Sequence, residues 1–275
     1  MLRCFAPLSM TFRRFMLPLP KDTIYFHILT VITGLIFALG VAANVSVWLR
    51  GRVDGAREES AGARLGAFVG RGLSALGHGE TWANLLWDVL LQRQLLRESI
   101  SRWLMHFFLS WGAVELFFIG SLGNMAIDLR LTTLTKDTPW FAFVSDFGGA
   151  LVLVGALIAA YRRFVLKTPQ LRTFWDDGLV VLALAFLVLT GYLLEAGRIA
   201  LLGAFEGYAF IGYAFSGLMA GIDASAYTYL WWVHVVFSFA LVAYVPYSKL
   251  FHVFVSPVSI LSWRRKGEAA LVKGS

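Results

Sequence analysis

The stretch from 228 to 257, TYLWWVHVVFSFALVAYVPYSKLFHVFVSP, constrains the fold more than any other part of the sequence. It is apolar over more than the roughly 20 residues that an α-helix needs to cross a bilayer, and such a helix satisfies its own backbone hydrogen bonds. His234 and His252 lie within it, 18 residues apart. This spacing is about five helical turns, so a continuous helix would carry both imidazoles on one face, roughly 27 Å apart. Pro246 lies between them and is expected to bend such a helix.

Four other apolar runs of similar length precede this one, and together they predict an all-α polytopic membrane protein with a bundle of five transmembrane helices. The spans are expected at about 24–49, 103–125, 140–161, 177–199 and 228–254. Hydrophobic residues make up 58% of the chain and charged residues 15%, with a mean hydropathy of +0.69. A soluble domain is rarely so apolar. We therefore expect residues 1–275 to form a single multi-pass domain in the cell (inner) membrane.

The longest polar segment covers residues 50–101. Apolar residues recur in it at approximately helical spacing after a cap expected at Thr81. They are Trp82, Leu85, Leu86, Val89, Leu90 and Leu96. This pattern predicts an amphipathic helix on the membrane surface or beneath a partner subunit, with an ordinary membrane-proximal helix as the alternative. His78, between two glycines of the same segment, is expected to be solvated.

The distribution of lysine and arginine predicts the orientation. These residues concentrate in the segment 50–101, in the loop after the third span and in the C-terminal tail, whereas residues 202–227 contain none. The positive-inside rule then places the N-terminus outside, the C-terminus inside and the segment 50–101 in the cytoplasm. The basic N-terminal tail favours the opposite orientation, but three basic segments outweigh it. Because topology explains the net charge of +7, no nucleic-acid partner is expected.

With this orientation four of the five histidines fall into two pairs at matching depth. His106 and His252 lie near the cytoplasmic face, and His27 and His234 lie near the outer face. Two histidines at one depth, on helices that face a shared gap, are what bis-imidazole ligation of a b-type haem requires. Cys4 is the only cysteine, which excludes a cysteine-ligated iron–sulfur cluster or a C-x-x-C-H haem attachment in this chain.

Two other classes of function remain open from the residues alone. A non-haem proton-coupled transporter would use Glu115, Glu195 and the histidines as a relay, although no inverted repeat or pair of broken helices supports it. A simple membrane anchor subunit would leave the depth-matched histidines unexplained. A zinc or copper site is disfavoured, because the sequence has no tight cluster of ligand residues.

The sequence WWVHVVFSFALVAYVPYSKLFHVFVSP at 231–257 resembles the last helix of the gamma subunit of respiratory nitrate reductase. It resembles equally the cytochrome b subunits of heterodisulfide-reductase-type and sulfite-reductase-associated membrane complexes. The spacing of the two histidines and the ending P-Y-S-K-L-F-H carry most of this resemblance. Further similarity lies at 101–108, 148–164 and 176–199, so it extends from about residue 101 to the tail.

The resemblance implies a five-helix cytochrome with two b-type haems that oxidises quinol from the quinone pool near the outer face. Electrons then pass to a cytoplasmic iron–sulfur or reductase partner, so the chain would be an electron-transfer subunit and not the terminal catalytic one. It implies His106 and His252 as axial ligands of the inner haem iron and His234 as a ligand of the outer one. Lys136, Glu195 and Arg198, near the outer face, are candidates for the quinol pocket, with an interface anchor and a structural ion pair as their alternative roles.

The chain departs from the nitrate reductase pattern at one ligand. The second helix of that gamma subunit carries another histidine for the outer haem, and the corresponding place here is near Leu116, which cannot ligate iron. Either His27 replaces this ligand, or the outer haem is absent. The long first loop fits the heterodisulfide-reductase-like branch better than nitrate reductase itself.

Overall fold

A computed structural model of the chain describes residues 24–50, 60–128, 131–136, 138–166, 175–203 and 207–260. Every regular element among these residues is helical. Five helices are long and apolar enough to cross a membrane: Ile24–Arg50, Ile100–Gly123, Pro139–Val165, Gly178–Leu202 and Ala224–Tyr247. The predicted all-α, five-span fold is therefore confirmed, and the chain is a multi-pass membrane protein. Which side of the membrane each terminus faces stays a prediction.

The described residues form ten α-helices, of which α1, α5, α7, α8 and α10 belong to the spans. Their bounds are α1 Ile24–Arg50, α2 Ala61–Leu76, α3 Gly79–Asn84, α4 Arg93–Glu98, α5 Ile100–Glu115, α6 Asn124–Asp128, α7 Pro139–Ala160, α8 Trp175–Leu202, α9 Phe210–Ser216 and α10 Ala224–Tyr244. Wider π-helical turns extend three of them: Leu85–Leu90 after α3, Leu116–Gly123 after α5 and Tyr161–Val165 after α7.

Helix α7 packs closely against α5 because small residues line their contact. A methyl group on Gly112 of α5 would lie 2.7 Å from the carbonyl oxygen of Gly148 in α7. Val152 of α7 is fully buried, and Val188 and Tyr192 of α8 pack on it. The spans α5, α7 and α8 thus share one core, which fixes the helix that carries His106.

The last span is interrupted where Pro246 occurs. The α-helix ends at Tyr244, the chain is extended at Ser248 (φ −122°, ψ 174°), and helical structure resumes after the turn Lys249–Phe251. Proline has no N–H to continue the helical hydrogen-bond ladder, and its ring clashes with the preceding turn. The continuous helix expected over 228–254 is therefore replaced by two helical segments, one with His234 and one with His252.

Helix α1 covers this interruption. The side-chain amide of Asn44 donates to the Pro246 carbonyl at 2.8 Å, and the Tyr247 hydroxyl donates to the Ile36 carbonyl at 2.9 Å. Gly40 allows this approach, since a methyl group there would lie 2.6 Å from the ring of Pro246. A carbonyl that the broken helix leaves without its usual partner is thus satisfied by a neighbouring span.

The segment before α5 folds back against that helix. The single amphipathic helix expected after Thr81 begins instead at Gly79, widens into the π-helical turn and ends before Gln92, whose backbone is left-handed (φ 51°, ψ 42°). Indole N–H groups of α5 hold it: Trp111 donates to the Leu90 carbonyl at 3.0 Å, and Trp103 donates to the Leu91 carbonyl at 2.9 Å. Gln92 is thereby placed beside α5.

Candidate functional site

The structure brings His106 and His252 together. Their ring centroids lie 5.9 Å apart, with an angle of 56° between the ring planes. His106 is half-buried on α5, whereas His252 is exposed and follows the turn Lys249–Phe251. These two residues are 146 positions apart in the sequence, so only the packing of the spans and the interruption at Pro246 can bring them into contact.

Hydrogen bonds determine which nitrogen of His106 carries the proton. The Ser110 hydroxyl donates to the Phe107 carbonyl at 3.2 Å, so its oxygen accepts from Nε2 of Gln92 at 2.7 Å. The remaining Oε1 of Gln92 can only accept, and it lies 3.0 Å from Nδ1 of His106. Nδ1 of His106 is therefore the donor, and Nε2 keeps a free lone pair.

His252 is held in the same tautomer. Its Nδ1 lies 2.5 Å from the backbone carbonyl of Lys249. A carbonyl oxygen can only accept, so Nδ1 carries the proton and Nε2 is free. Metal-ligating histidines usually show this arrangement, in which the far nitrogen donates to a carbonyl or a side-chain oxygen and thereby fixes the ring.

His234 occupies a second position of this kind, on α10 against α8. The Thr190 hydroxyl donates to the helix carbonyls of Phe186 and Leu187, each at 3.0 Å. Its oxygen is 2.9 Å from Nδ1 of His234 and accepts that proton. Nε2 of His234 is consequently free, and the ring lies beside Gly191.

His27 lies on α1 at about the height of His234. Its neighbour Phe26 packs against Trp231 and Phe239 of α10, with ring centroids 5.7 Å apart in both cases. Trp231 and Phe239 lie on either side of His234 in the sequence. The His27 ring itself is exposed beside Phe26, and within the described ranges no hydrogen bond or ring contact joins it to His234. His27 and His234 therefore lie at about the same depth but do not contact each other.

Of the three candidate residues for the quinol pocket, two form an ion pair and the third lies in another segment. Glu195 and Arg198 form an ion pair at 2.8 Å, with a second hydrogen bond at 3.2 Å, and Arg198 is 9% exposed. Lys136 is half-buried in the segment before α7. Asp146 of α7 holds the start of α9 over the same end of the bundle, because its carboxylate accepts from the backbone N–H of Ile211 at 2.6 Å.

Sequence reasoning did not identify Gln92 and Thr190 as partners of the histidines. Thr190 belongs to an apolar span, and Gln92 lies 14 residues before His106, in a separate segment that precedes α5. The left-handed backbone of Gln92 brings its amide to the imidazole, and no sequence pattern specifies that turn. Among the residues that the structure describes, no group of three or more His, Cys, Asp or Glu is placed to hold a metal ion.

The family model of the nitrate reductase gamma subunit matches residues 129–266, which include α7, α8, α10, His234 and His252. The chain belongs to the nitrate reductase gamma subunit family. The expected resemblance is thereby confirmed.

Relatives outside nitrate reductase are also similar to this chain. It is 27% identical to one subunit of the dihydromethanophenazine:CoB–CoM heterodisulfide reductase of Methanosarcina acetivorans, over 86% of the chain and 89% of that relative. It is 25% identical to the EtfAB:quinone oxidoreductase of Syntrophomonas wolfei, over 84% of the chain. It is 26% identical to the probable iron-sulfur-binding oxidoreductase FadF of Bacillus subtilis, over 70% of the chain.

The chain spans only 32% of the Syntrophomonas protein and 28% of FadF. No solved structure matches the chain. The family, the relatives and the five spans together place it among the membrane subunits of electron-transferring oxidoreductases.

Proposed function

We propose that this protein is the membrane electron-transfer subunit of a multi-subunit oxidoreductase and that it holds a b-type haem between His106 and His252. The observation that carries the proposal is the pairing of these imidazoles from different spans, 5.9 Å apart, each with Nδ1 bonded to an oxygen and Nε2 free. When bound, a haem supplies one-electron redox chemistry, with a potential that depends on its axial ligands.

The spacing of the two rings supports a shared metal ion. With a metal about 2 Å from each nitrogen, and each nitrogen about 1 Å from its ring centre, two ligating imidazoles have centroids roughly 6 Å apart, close to the 5.9 Å observed. Gln92 and the Lys249 carbonyl accept the Nδ1 protons. They thereby hold each ring in the ligating tautomer and raise the basicity of Nε2.

A second haem is proposed on His234, with His27 as its other ligand. The free Nε2 of His234, which follows from the Thr190 contact, supports the first ligand. The common height of the two histidines, established by Phe26 against Trp231 and Phe239, supports the second. If His27 does not ligate, the protein holds either the inner haem alone or an outer haem with a different second ligand.

Quinol oxidation near the outer face is the proposed entry of electrons. The name of the Syntrophomonas relative, an EtfAB:quinone oxidoreductase, supports a quinone as the lipid-soluble partner. Lys136, Glu195 and Arg198 are the proposed polar residues of the pocket. Electrons would leave from the inner site to a cytoplasmic iron–sulfur or reductase subunit; two relatives, named as part of a heterodisulfide reductase and as an iron-sulfur-binding oxidoreductase, support such a partner.

The test is a haem count on the purified full chain, by pyridine haemochrome, together with reduced-minus-oxidised spectra. The wild-type protein should show b-type haem, and His106→Ala and His252→Ala should each remove the same spectral component. His78→Ala is the matched control, because His78 is exposed and its imidazole bonds to the Ser74 carbonyl of its own segment. A wild-type protein without b-type haem would overturn the proposal, and proton-coupled flux in that protein would favour the transporter alternative.

A further inference from the structure

We infer that Gln92 is the positioning residue of the inner site: its side-chain amide selects the tautomer of His106 and fixes the direction of Nε2. This inference rests on the proposed function and names a residue that acts on the same site. Three independent observations carry it: the backbone of Gln92, the contacts that hold its turn, and the order of protons through its amide.

The backbone of Gln92 is unusual. Among the described residues it is the only non-glycine residue with a positive φ, at 51°. Left-handed backbone is costly for a residue with a Cβ and free for glycine. Such a conformation persists in a larger residue when its surroundings fix it, and it is concentrated at functional sites. Glycine would adopt this backbone conformation at lower cost than glutamine. We therefore infer that glutamine occurs here because of the contacts that its side chain makes.

The turn is anchored to α5 just before Gln92 and is closed by an ion pair across Gln92. The carbonyls of the two preceding residues accept the indole N–H groups of Trp111 and Trp103, at 3.0 and 2.9 Å. Arg93 and Asp88 form an ion pair at 3.1 Å around the same turn, and the side chain of Asp88 is completely buried. Gln92 itself is 8% exposed. Its amide therefore occupies a fixed position beside the imidazole of His106.

The hydrogen bonds through the amide run in one direction. The proton of Ser110 goes to the Phe107 carbonyl, a proton of Gln92 goes to Ser110, and the Nδ1 proton of His106 goes to Gln92. The opposite order would put a proton on Nε2 of His106 and block it as a metal ligand. It would also withdraw the Ser110 proton from the Phe107 carbonyl. The observed contacts thus favour the ligating tautomer.

The variants Gln92→Gly, Gln92→Leu and Gln92→Glu separate the amide from the backbone. Gln92→Gly keeps the left-handed turn and removes the whole side chain, whereas Gln92→Leu keeps a side chain of similar size and removes its amide, both the acceptor for His106 and the donor to Ser110. Loss of a partner of this kind lowers metal-site affinity by about 10–100-fold, so both variants should bind the inner haem more weakly. Gln92→Glu restores an acceptor stronger than the amide. It should retain the haem with a lower midpoint potential, because a more basic imidazole stabilises the oxidised iron.

Gln94 provides the matched control, because it is the same residue type, two positions away and exposed on α4. Gln94→Gly, Gln94→Leu and Gln94→Glu should leave the affinity, midpoint potential and electron paramagnetic resonance signal of the inner haem at wild-type values. The three readouts are measured on the purified full chain by haem titration, redox potentiometry and low-temperature spectroscopy. A merely structural glutamine predicts that Gln92→Gly is harmless, since glycine favours the backbone of this turn.

The outcomes distinguish this inference from the proposed function. If the wild-type protein binds haem and Gln92→Gly, Gln92→Leu and Gln92→Glu all retain its affinity, potential and spectrum, the role of Gln92 is overturned and the haem proposal stands. If the wild-type protein binds no haem, both fail. Weaker binding in Gln92→Gly and Gln92→Leu, with rescue and a lower potential in Gln92→Glu, supports both.

Discussion

Three histidines from different parts of the chain share one local arrangement. His106, His234 and His252 each place Nδ1 against an oxygen: an amide, a hydroxyl and a backbone carbonyl, at 3.0, 2.9 and 2.5 Å. Each keeps Nε2 free. The Nδ1 of His78 also bonds to a carbonyl oxygen, that of Ser74, at 2.9 Å, so this contact suits a metal ligand but does not by itself mark one. The inner pair is distinguished by the approach of two such rings from different spans, with centroids 5.9 Å apart.

Thr190 should act on His234 as Gln92 acts on His106. In Thr190→Val the acceptor for Nδ1 is lost while the shape of the side chain is kept, so we expect binding of the outer haem to weaken by about 10–100-fold. Thr190→Ser should restore it. Haem titration followed by reduced-minus-oxidised spectra measures both variants.

The control for Thr190 is Thr30→Val on α1. The hydroxyl of Thr30 donates to the carbonyl of Phe26 within its own helix, at 2.8 Å. Thr30→Val should therefore bind haem like the wild-type protein. Equal haem binding in Thr190→Val and Thr30→Val would show that the contact between Thr190 and His234 is not part of a haem site.

His27→Ala decides whether there are two haems. If His27 supplies the second ligand of the outer haem, His27→Ala and His234→Ala should each lower the haem count by the same component and leave the inner one unchanged. Pyridine haemochrome per chain measures this. A His27→Ala protein with the full wild-type haem content contradicts the outer pair: one haem per chain then means the inner haem alone, and two mean an outer site with a different second ligand.

At the scale of single residues, the sequence predicted the histidines and their depths but not their partners. The spacing of His234 and His252 follows from helix geometry, which is local. The acceptors Thr190 and Gln92 depend on which helices touch and on one left-handed residue. Neither property leaves a periodic signal in the sequence.

At the scale of helices, the contact between α5 and α7 determines where His106 lies. Gly112→Ala would place a methyl group 2.7 Å from the Gly148 carbonyl oxygen and 2.8 Å from the backbone nitrogen of Val152. Backbone cannot move aside as a flexible side chain can. We expect the variant to lose about 1–3 kcal/mol of stability from overpacking, despite the better helix propensity of alanine. Thermal unfolding in detergent measures the loss.

Gly34→Ala on α1 is the control for Gly112→Ala. A methyl group on Gly34 meets nothing within 4 Å, so this change should be neutral or slightly stabilising. If Gly112→Ala and Gly34→Ala unfold at the same temperature, the close packing of α5 on α7 is wrong.

The five spans were predictable because each is long and apolar, and these are properties of composition. The interruption of the last span was predictable only as a bend. The sequence did not predict that helical structure resumes after Ser248. It also did not predict that Asn44 of α1 donates to the Pro246 carbonyl, because that contact depends on a span about 200 residues earlier. The prediction of a single amphipathic helix in the first polar segment was wrong for a similar reason, since it too depends on a contact with another helix. Indole N–H groups of α5 bind the carbonyls of the two residues before Gln92, where the helix ends.

At the scale of the whole molecule, the inner site lies at the end of the bundle where residues 60–98 lie. Gln92 belongs to that segment and contacts His106, which in turn packs beside His252. Electrons leaving from this pair would therefore reach a partner docked on the side of residues 60–98. The orientation of the chain decides which compartment that partner occupies.

Two glycines at opposite ends of the bundle allow a test of orientation. Gly79 precedes the π-helical turn, and Gly217 lies between α8 and α10; both are exposed, and a Cβ on either meets nothing within 4 Å. Because Cys4 is the only cysteine, Cys4→Ser gives a background without thiols. Gly79→Cys and Gly217→Cys in that background each introduce a single reactive site.

The positive-inside rule predicts that Gly217→Cys is labelled by a membrane-impermeant maleimide in intact cells, whereas Gly79→Cys is labelled only after lysis. The first result places the loop before α10, and with it Glu195 and Arg198, outside. The second places the pair of His106 and His252 nearest the cytoplasm. The opposite labelling would put quinol chemistry and reductase docking on exchanged sides. Labelling of both in intact cells would mean that the two glycines share one face, which five spans in this order cannot provide.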